Sequence, residues 1–359
     1  MKALYKAGWQ IALTILVSAS LVILLYIRAP GINQENNGFD RVWKEQLLKK
    51  EVMTDNVDSI FSVCGASNTG WYFSGPQAGN IIITDKKLGN KRSQHLQLDF
   101  VPKNKYCITS IDSPRVYLFF GNDHAIAAGN INDNKVQTHT WFDKNFSRAV
   151  VLSPASVLLR GFQLTKQVDQ VFYKIGIADS SRLMGDSILP KYGDAGFSND
   201  GMLHYDKAQA LLCYVSFYSN EIVMFDTTFS SVRHYRTIDS TANNSGAVQS
   251  AQEKDNLYLV TDKTRLINLY NTVDKGILYN LSLLKADNEQ VADFSANAVV
   301  DMYELKTGAY KGSFYIPNVD GGRVMQFGIY NNQLVGVYKN KLVLYTMAAD
   351  KGMAVHASR

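Results

Sequence analysis

The side chains that could carry out chemistry are scattered along the chain. The six histidines stand at positions 95, 124, 139, 204, 234 and 356. The sequence has no G-x-S-x-G elbow, H-E-x-x-H zinc helix, Walker loop, G-x-G-x-x-G turn or C-x-x-C pair. A lone histidine on a strand is more often a surface or hydrogen-bonded residue than a ligand. The sequence therefore identifies no catalytic residue and no metal ligand and implies no cofactor, although a site built from one residue per repeat would leave no local motif.

Two of the three cysteines are candidates for a disulfide bond. Cys64 and Cys107 lie 43 residues apart, almost one length of the repeat described below. Oxidation is permitted if the domain is exported, but a disulfide requires Cα atoms within about 7 Å of each other. The alternative is that Cys64, Cys107 and Cys213 are buried small hydrophobic residues.

Composition indicates a folded β protein and argues against a nucleic-acid binder. Hydrophobic residues make up 46% of the chain and charged residues 19%. There are 25 Asp but only 7 Glu, and Asp favours turns where Glu favours helix interiors. The net charge of +5 includes Lys2, Lys6 and Arg28, which flank one apolar stretch. Because the remainder is close to neutral and has no basic run, we expect no nucleic-acid partner.

The N-terminal region contains a predicted transmembrane signal anchor. Trp9 to Ile27 are 19 residues without a charge, enough at about 1.5 Å per residue to cross nearly all of a hydrocarbon core of about 30 Å. A cleaved secretory signal is the alternative, but its apolar part runs about 7–15 residues and ends at small residues. Here the small residues 18–20 lie in the middle of the run. An uncleaved anchor over residues 9–27 is therefore favoured.

The charges beside the anchor predict its orientation. Lys2 and Lys6 precede the span, and Arg28 alone follows it closely, so residues 1–8 should stay in the cytoplasm. The polar, Gly- and Asn-rich stretch after Pro30 predicts a tether over 28–49. We expect a single-pass protein of a bacterial-type cytoplasmic membrane whose main domain is periplasmic or extracellular.

A segment that begins with a polar residue and continues as a hydrophobic strand recurs through the rest of the chain. Its spacings are 44, 45, 51, 77 and 43 residues. The copies are NIIITD from Asn80, HAIAAGNIN from His124, DQVFYKIGIAD from Asp169, NEIVMFD from Asn220, NAVVDMYEL from Asn297 and NKLVLYTM from Asn340.

Each copy lies close to other short apolar runs, and three or four strands per unit at this period are typical of a β-propeller blade. The six copies predict an all-β, six-bladed propeller over residues 50–350, followed by a polar tail over 351–359. Because a propeller usually closes its ring with strands from both chain ends, residues near 50–54 should pair with the last blade. An irregular β-sandwich or two domains are the alternatives.

The rhythm of this region resembles a known group of propellers. The stretch NEIVMFDTTFSSVRHYRTID from Asn220 looks like the outer strand pair of a six-bladed propeller of the NHL or TolB-like kind. The resemblance extends over about residues 55–347 and concerns the fold alone, because no family fingerprint recurs. It implies little about function.

The interval of 77 residues suggests an insertion over 262–296. On this interpretation the strand before the Asn297 copy is NLYLVTDK from Asn256, which the insertion displaces upstream. The insertion then forms an ordered cap on the upper face of the propeller, which is the face that carries the blade-to-blade connections. Arg265, Tyr270 and Tyr279 are its candidate binding residues. Alternatively, the insertion has no role or conceals a seventh blade.

These features favour a membrane-anchored extracytoplasmic propeller that acts as a ligand- or protein-binding or assembly module. Its expected partners are the membrane, through residues 9–27, and a protein or small ligand on the upper face. A propeller enzyme, such as a metal-dependent hydrolase or lactonase with a site at the channel mouth, is the first alternative. An accessory subunit of a membrane or redox enzyme is the second.

Overall fold

We describe the fold from a computed structural model of the chain. It describes residues 2–28, 37–55, 60, 62–140, 144–164, 168–177, 179–241, 248–252, 257–260 and 265–348.

The chain begins with one long helix. Helix α1 (Lys2–Arg28) contains the stretch Gly8–Leu25, which has a mean hydropathy of 2.1 and none of its residues buried. A helix of this length and composition can cross a membrane or serve as a signal sequence.

The rest of the described chain is an all-β structure built around six four-stranded sheets, which we call blades one to six. Blade one is β2 (Ser62–Ala66), β3 (Gly70–Ser74), β4 (Asn80–Asp85) and β5 (Arg92–His95), and blade two is β6 (Ile108–Asp112), β7 (Arg115–Phe120), β8 (Ala125–Asn130) and β9 (Val136–His139). Blade three is β10 (Phe146–Ser153), β11 (Ser156–Leu164), β12 (Val168–Gly176) and β13 (Arg182–Gly185), and blade four is β14 (Gly201–Asp206), β15 (Leu211–Ser216), β16 (Glu221–Asp226) and β17 (Val232–Arg236). Blade five is β20 (Asn268–Asp274), β21 (Ile277–Ser282), β22 (Asn297–Glu304) and β23 (Tyr310–Pro317), and blade six is β24 (Gln326–Tyr330), β25 (Gln333–Val337), β26 (Lys341–Met347) and β1 (Leu48–Asp55). A separate two-stranded sheet, β18 (Val248–Gln252) with β19 (Leu257–Val260), lies between blades four and five in the chain.

The six recurring segments are the third strands of the six blades, as the repeat predicts. Each blade is an antiparallel meander whose first strand is innermost. Each innermost strand contacts the innermost strands of the two neighbouring blades, which closes a six-membered ring. The predicted six-bladed propeller is confirmed.

The ring is closed by both ends of the chain. Strand β1 pairs antiparallel with β26, with Val52 opposite Leu344 and Asp55 opposite Lys341. The prediction that residues near 50–54 complete the last blade is therefore confirmed. This pairing covers the edge of β26, which would otherwise present unpaired backbone groups to other chains.

The hydrophobic core lies mainly between adjacent blades. Trp71 and Phe73 of blade one pack against Val335 and Leu344 of blade six. Each fully buried aromatic side chain contributes roughly 1.5–3 kcal/mol, so the six junctions together hold the ring closed.

The predicted insertion over 262–296 is wrong. This range contains β20, β21 and helix α2 (Val291–Ala296), and β21 pairs directly with β22. The predicted partner strand near Asn256 instead forms β19, which pairs with β18. The apolar run near Asn256 and the run that forms β21 both have the composition of a strand. The local sequence therefore does not decide which of the two joins blade five. The range is neither a cap nor a seventh blade.

Residues 37–47, expected to belong to a tether, lie against blade five. Phe39 is 7% exposed and packs with Ile267, Leu284 and Ala286. We call residues 37–47 the strap, because they connect the N-terminal helix region to β1 across the edge of blade five.

Candidate functional site

A central cavity of about 640 Å³ lies inside the ring of innermost strands. Every blade contributes to its wall. From blade one to blade six, examples of lining residues on or just before the first strand are Gly65, Cys107, Arg148, His204, Thr272 and Gln326. Small-molecule sites usually occupy about 300–1,000 Å³. The central cavity is therefore large enough for a small ligand.

The two arginines of blade three next to this cavity are neutralised by Asp200, which directly precedes the first strand of blade four. Arg148 donates two hydrogen bonds from Nη2 to Asp200, at 3.0 and 2.9 Å. Arg160, whose side chain is fully buried, donates from Nη1 to the same carboxylate at 3.1 Å. Asp200 thus bridges two guanidinium groups and fixes the segment before β14 to blade three. The Arg148 side chain remains about one-quarter exposed, and its hydrogen bonds to Asp200 hold it in place at the cavity wall.

A second ion pair lies where the innermost strands end. Asp112, the last residue of β6, pairs with Lys207, which follows β14. Both residues line the cavity. Asp274, at the end of β20, lies at the same end of the cavity, and burial raises the pKa of its carboxyl. The positive side chains Arg148 and Lys207 are thus both paired with carboxylates.

Buried polar groups adjoin the cavity between blades four and five. The Nε2 atom of His204 is buried without a hydrogen-bond partner, and the same holds for both side-chain amide atoms of Asn271. Asn271 is 0% exposed. Burial lowers the pKa of His204 to about 4, although its contact with Asn271 acts in the opposite direction. A buried polar group without a partner is costly. Because His204 lines the cavity and Asn271 does not, the Nε2 atom of His204 is the candidate for contact with a bound molecule or water.

The structure does not bring the three predicted binding residues together. Tyr270 lines the cavity and makes an edge-to-face contact with Phe327, with ring centroids 5.3 Å apart. Tyr279 is 6% exposed and packs in the core between blades five and six. Arg265 lies next to the strap, with Nη1 3.4 Å from Asn37 Oδ1. Of the three, only Tyr270 belongs to the cavity.

The cysteines are free thiols in the structure, and the candidate bridge between Cys64 and Cys107 is not formed. Cys64 and Cys107 both line the cavity, and burial raises the pKa of each thiol. Cys213 is 1% exposed and packs in the core between blades four and five.

The described part of the chain contains no group of three or more His, Cys, Asp or Glu side chains placed to hold a metal ion. His95, His139 and His234 lie in the outermost strands β5, β9 and β17, away from the cavity.

His204 and Arg148 line the cavity, although no pattern in the sequence marks them as candidate binding residues. Each lies on the first strand of its blade, and those strands have weaker apolar patterns than the second and third strands. Their positions in the repeat could have indicated this. GMLHYD and FSRAVVLS directly precede the apolar runs that become the second strands β15 and β11, so they are the innermost strands that line the cavity.

Comparison with known proteins supports the fold. No family model matches the chain, and no curated protein matches its sequence. A member of the DUF4221 family from Bacteroides vulgatus is similar in structure, with a TM-score of 0.53 and 13% identity, covering 88% of this chain and 99% of that chain. The WD40 domain of Pan2 from Neurospora crassa gives a TM-score of 0.49 at 7% identity, covering 87% and 98%. A luciferin-regenerating enzyme gives 0.47 at 9% identity, covering 83% and 95%. At 13% identity the first likeness shows the fold alone.

Proposed function

We propose that the protein is a membrane-anchored β-propeller, displayed outside the cytoplasm, that binds a neutral polar small molecule in its central cavity. The observation that carries this proposal is the cavity itself, which is built from all six blades and whose positive charges are already paired.

The charge balance favours a neutral ligand over an ion. Arg148 is satisfied by Asp200, and Lys207 by Asp112, so an anion would have to compete with these carboxylates. The carboxyl of Asp274 also lines the cavity, but its burial disfavours the charged form that would attract a cation. Hydroxyl and amide groups need no countercharge.

Neutral hydrogen-bonding groups are plentiful on the cavity wall. They belong to the lining residues Thr109, Ser110, Thr272 and Gln326. The partly exposed residues Tyr270 and Tyr330 also line the wall. Apolar surface with a few well-placed polar groups is the usual composition of a small-molecule site. Hydroxyl-rich molecules such as oligosaccharides offer both polar edges and apolar faces to such a wall.

The membrane anchoring rests on helix α1. Its 18-residue stretch Gly8–Leu25 is apolar, and none of it is buried. The lysines before it favour retention of its N-terminal end in the cytoplasm.

The binding proposal can be tested on the full chain in lipid nanodiscs. Thermal unfolding would be measured with two neutral probes, maltotriose and the N-acetylglucosamine trimer, and two charged probes, citrate and spermidine. We expect a saturable rise in Tm with at least one neutral probe.

Matched substitutions locate the site. Ser110→Trp places a bulky ring on the cavity wall, whereas Ser93→Trp places the same ring on the exposed outermost strand of blade one. The rise in Tm should disappear in the first variant and persist in the second. Equal responses of both variants, or responses to charged probes alone, would contradict the proposal.

A further inference from the structure

The strap is fixed to blade five by a buried ionic network. The Arg41 guanidinium bonds Asp301 through Nε at 2.8 Å and Nη2 at 3.1 Å. Its Nη1 donates to Glu289 at 2.9 Å and to the Leu284 carbonyl at 3.0 Å. Burial by itself lowers the pKa of Arg41, but Asp301 and Glu289 outweigh this effect, so the pKa lies above its ordinary value. A charged group with this many partners holds its segment in one place.

Aromatic and backbone contacts extend the attachment beyond Arg41. The Trp43 ring stacks on Tyr315 with centroids 4.3 Å apart. The strap also adds a short parallel pairing to the outer edge of β23: Ser313 N donates to Val42 O, and Lys44 N donates to Ser313 O, both at 2.8 Å. The strap is therefore an integral part of blade five.

The first described residue of the strap lies on one particular face of the ring. This upper face carries the connections between successive blades and between the second and third strands of each blade. Asn37 donates its backbone N–H to Asp287 and its side-chain amide to the Lys285 carbonyl, both in the β21–β22 connection. Ser240, in the connection from blade four to blade five, donates to the Asn37 carbonyl at 2.7 Å. Asn37 is thus held at the upper face where blades four and five meet.

The chain length limits how far this point can lie from the end of α1. Eight residues separate Arg28 from Asn37. Fully extended, the connection spans at most about 31 Å, and a flexible chain of this length spans about 17 Å on average. The strands of blade five have six to eight residues and are therefore roughly 20–26 Å long. Turning the lower face to the membrane would therefore stretch the connection almost fully, whereas turning the upper face to the membrane would not.

We infer that the upper face of the propeller is directed at the lipid surface, with the rim of blades four and five nearest to it. This inference rests on the proposed anchoring by α1. The end of the cavity at Asp112 and Lys207 then faces away from the membrane, and a soluble ligand would enter there.

Energy transfer to a labelled bilayer tests this orientation. A donor fluorophore would be placed by a clickable non-natural residue at position 290 or 309 of the full chain, in vesicles carrying an acceptor lipid. Gln290 is exposed in the β21–β22 connection on the upper face, and Ala309 is exposed in the β22–β23 connection on the lower face of the same blade. We expect several-fold stronger transfer from position 290.

A lengthened connection provides the control. Inserting about twenty Gly/Ser residues between positions 32 and 33 removes the distance limit without touching the strap, and should reduce the difference between the two positions. Equal transfer from both positions in the unmodified chain, or stronger transfer from 309, would overturn the orientation while leaving the anchoring intact. Failure of the protein to float with the vesicles would overturn the anchoring, and the orientation with it.

Discussion

Acidification should destabilise the protein through His204. Its pKa falls from an ordinary 6.5 to about 4 in the folded state because the ring is buried. Between these values the unfolded chain binds a proton that the folded chain does not, so the free energy of unfolding should fall as the pH drops from about 6.5 to about 4. At 1.36 kcal/mol per pH unit, the loss amounts to roughly 3 kcal/mol. This value is an upper bound, since part of the His204 side chain borders the cavity.

Urea unfolding of the full chain in nanodiscs at several pH values between 7.5 and 4 measures this loss. His204→Gln keeps a neutral polar side chain at every pH, so its free energy of unfolding should fall less than that of the unmodified protein over this range. His95→Gln, at an exposed position of β5, controls for removal of a histidine. If His204→Gln showed the same pH dependence as the unmodified chain, the imidazole would not be the group responsible, and the proposed burial of a neutral ring would be refuted.

Three further predictions concern the strap, the ring closure and the topology. Arg41→Met leaves two buried carboxylates without their cation and should lower the free energy of unfolding by about 3–5 kcal/mol, whereas Lys49→Met, at a side chain that is 81% exposed, should change it by less than about 0.5 kcal/mol; urea unfolding measures both. Val52→Asp places a charge on the side of β1 that packs on the core between blades six and one and should lower Tm, corresponding to about 1–3 kcal/mol, whereas Met53→Asp, at a neighbouring side chain that is 45% exposed, should have little effect; equal losses would contradict the assigned register. A reporter enzyme active only outside the cytoplasm, fused after Arg359, should be active, and an inactive fusion of full-length protein would contradict the proposed export.

Much of the fold follows from local patterns. The polar-start strands recur because the third strand of each blade, like the second, is central and buried on both faces, and such strands form continuous apolar runs in the sequence. The closing strand was also predictable, because the last copy supplies three strands and leaves an edge that the N-terminal side of the domain can cover. Both conclusions depend on periodicity and strand composition, which the sequence carries directly.

The choice of strands that form blade five shows what local sequence patterns cannot predict. The turn at Lys275 and Gly276, with φ angles of 47° and 80°, joins β20 to β21 as the tight hairpins of the other blades do. The segment near Asn256 has an equally strong strand composition. Because 14 residues separate β21 from β22, their pairing is not evident from their spacing in the sequence. Strand pairing is a non-local choice, and the two candidates differ only in what they pack against.

The cavity and the strap were decided by tertiary structure alone. His204 and Asn271 come from different blades and meet only because the ring brings β14 beside β20. Arg41 lies in a polar stretch with the composition of a tether, yet it finds its partners Asp301 and Glu289 about 250 residues away. The sequence determined which segments become strands, because that depends on neighbouring residues; which side chains share a charge or a cavity depends on ring closure, and no local pattern records it.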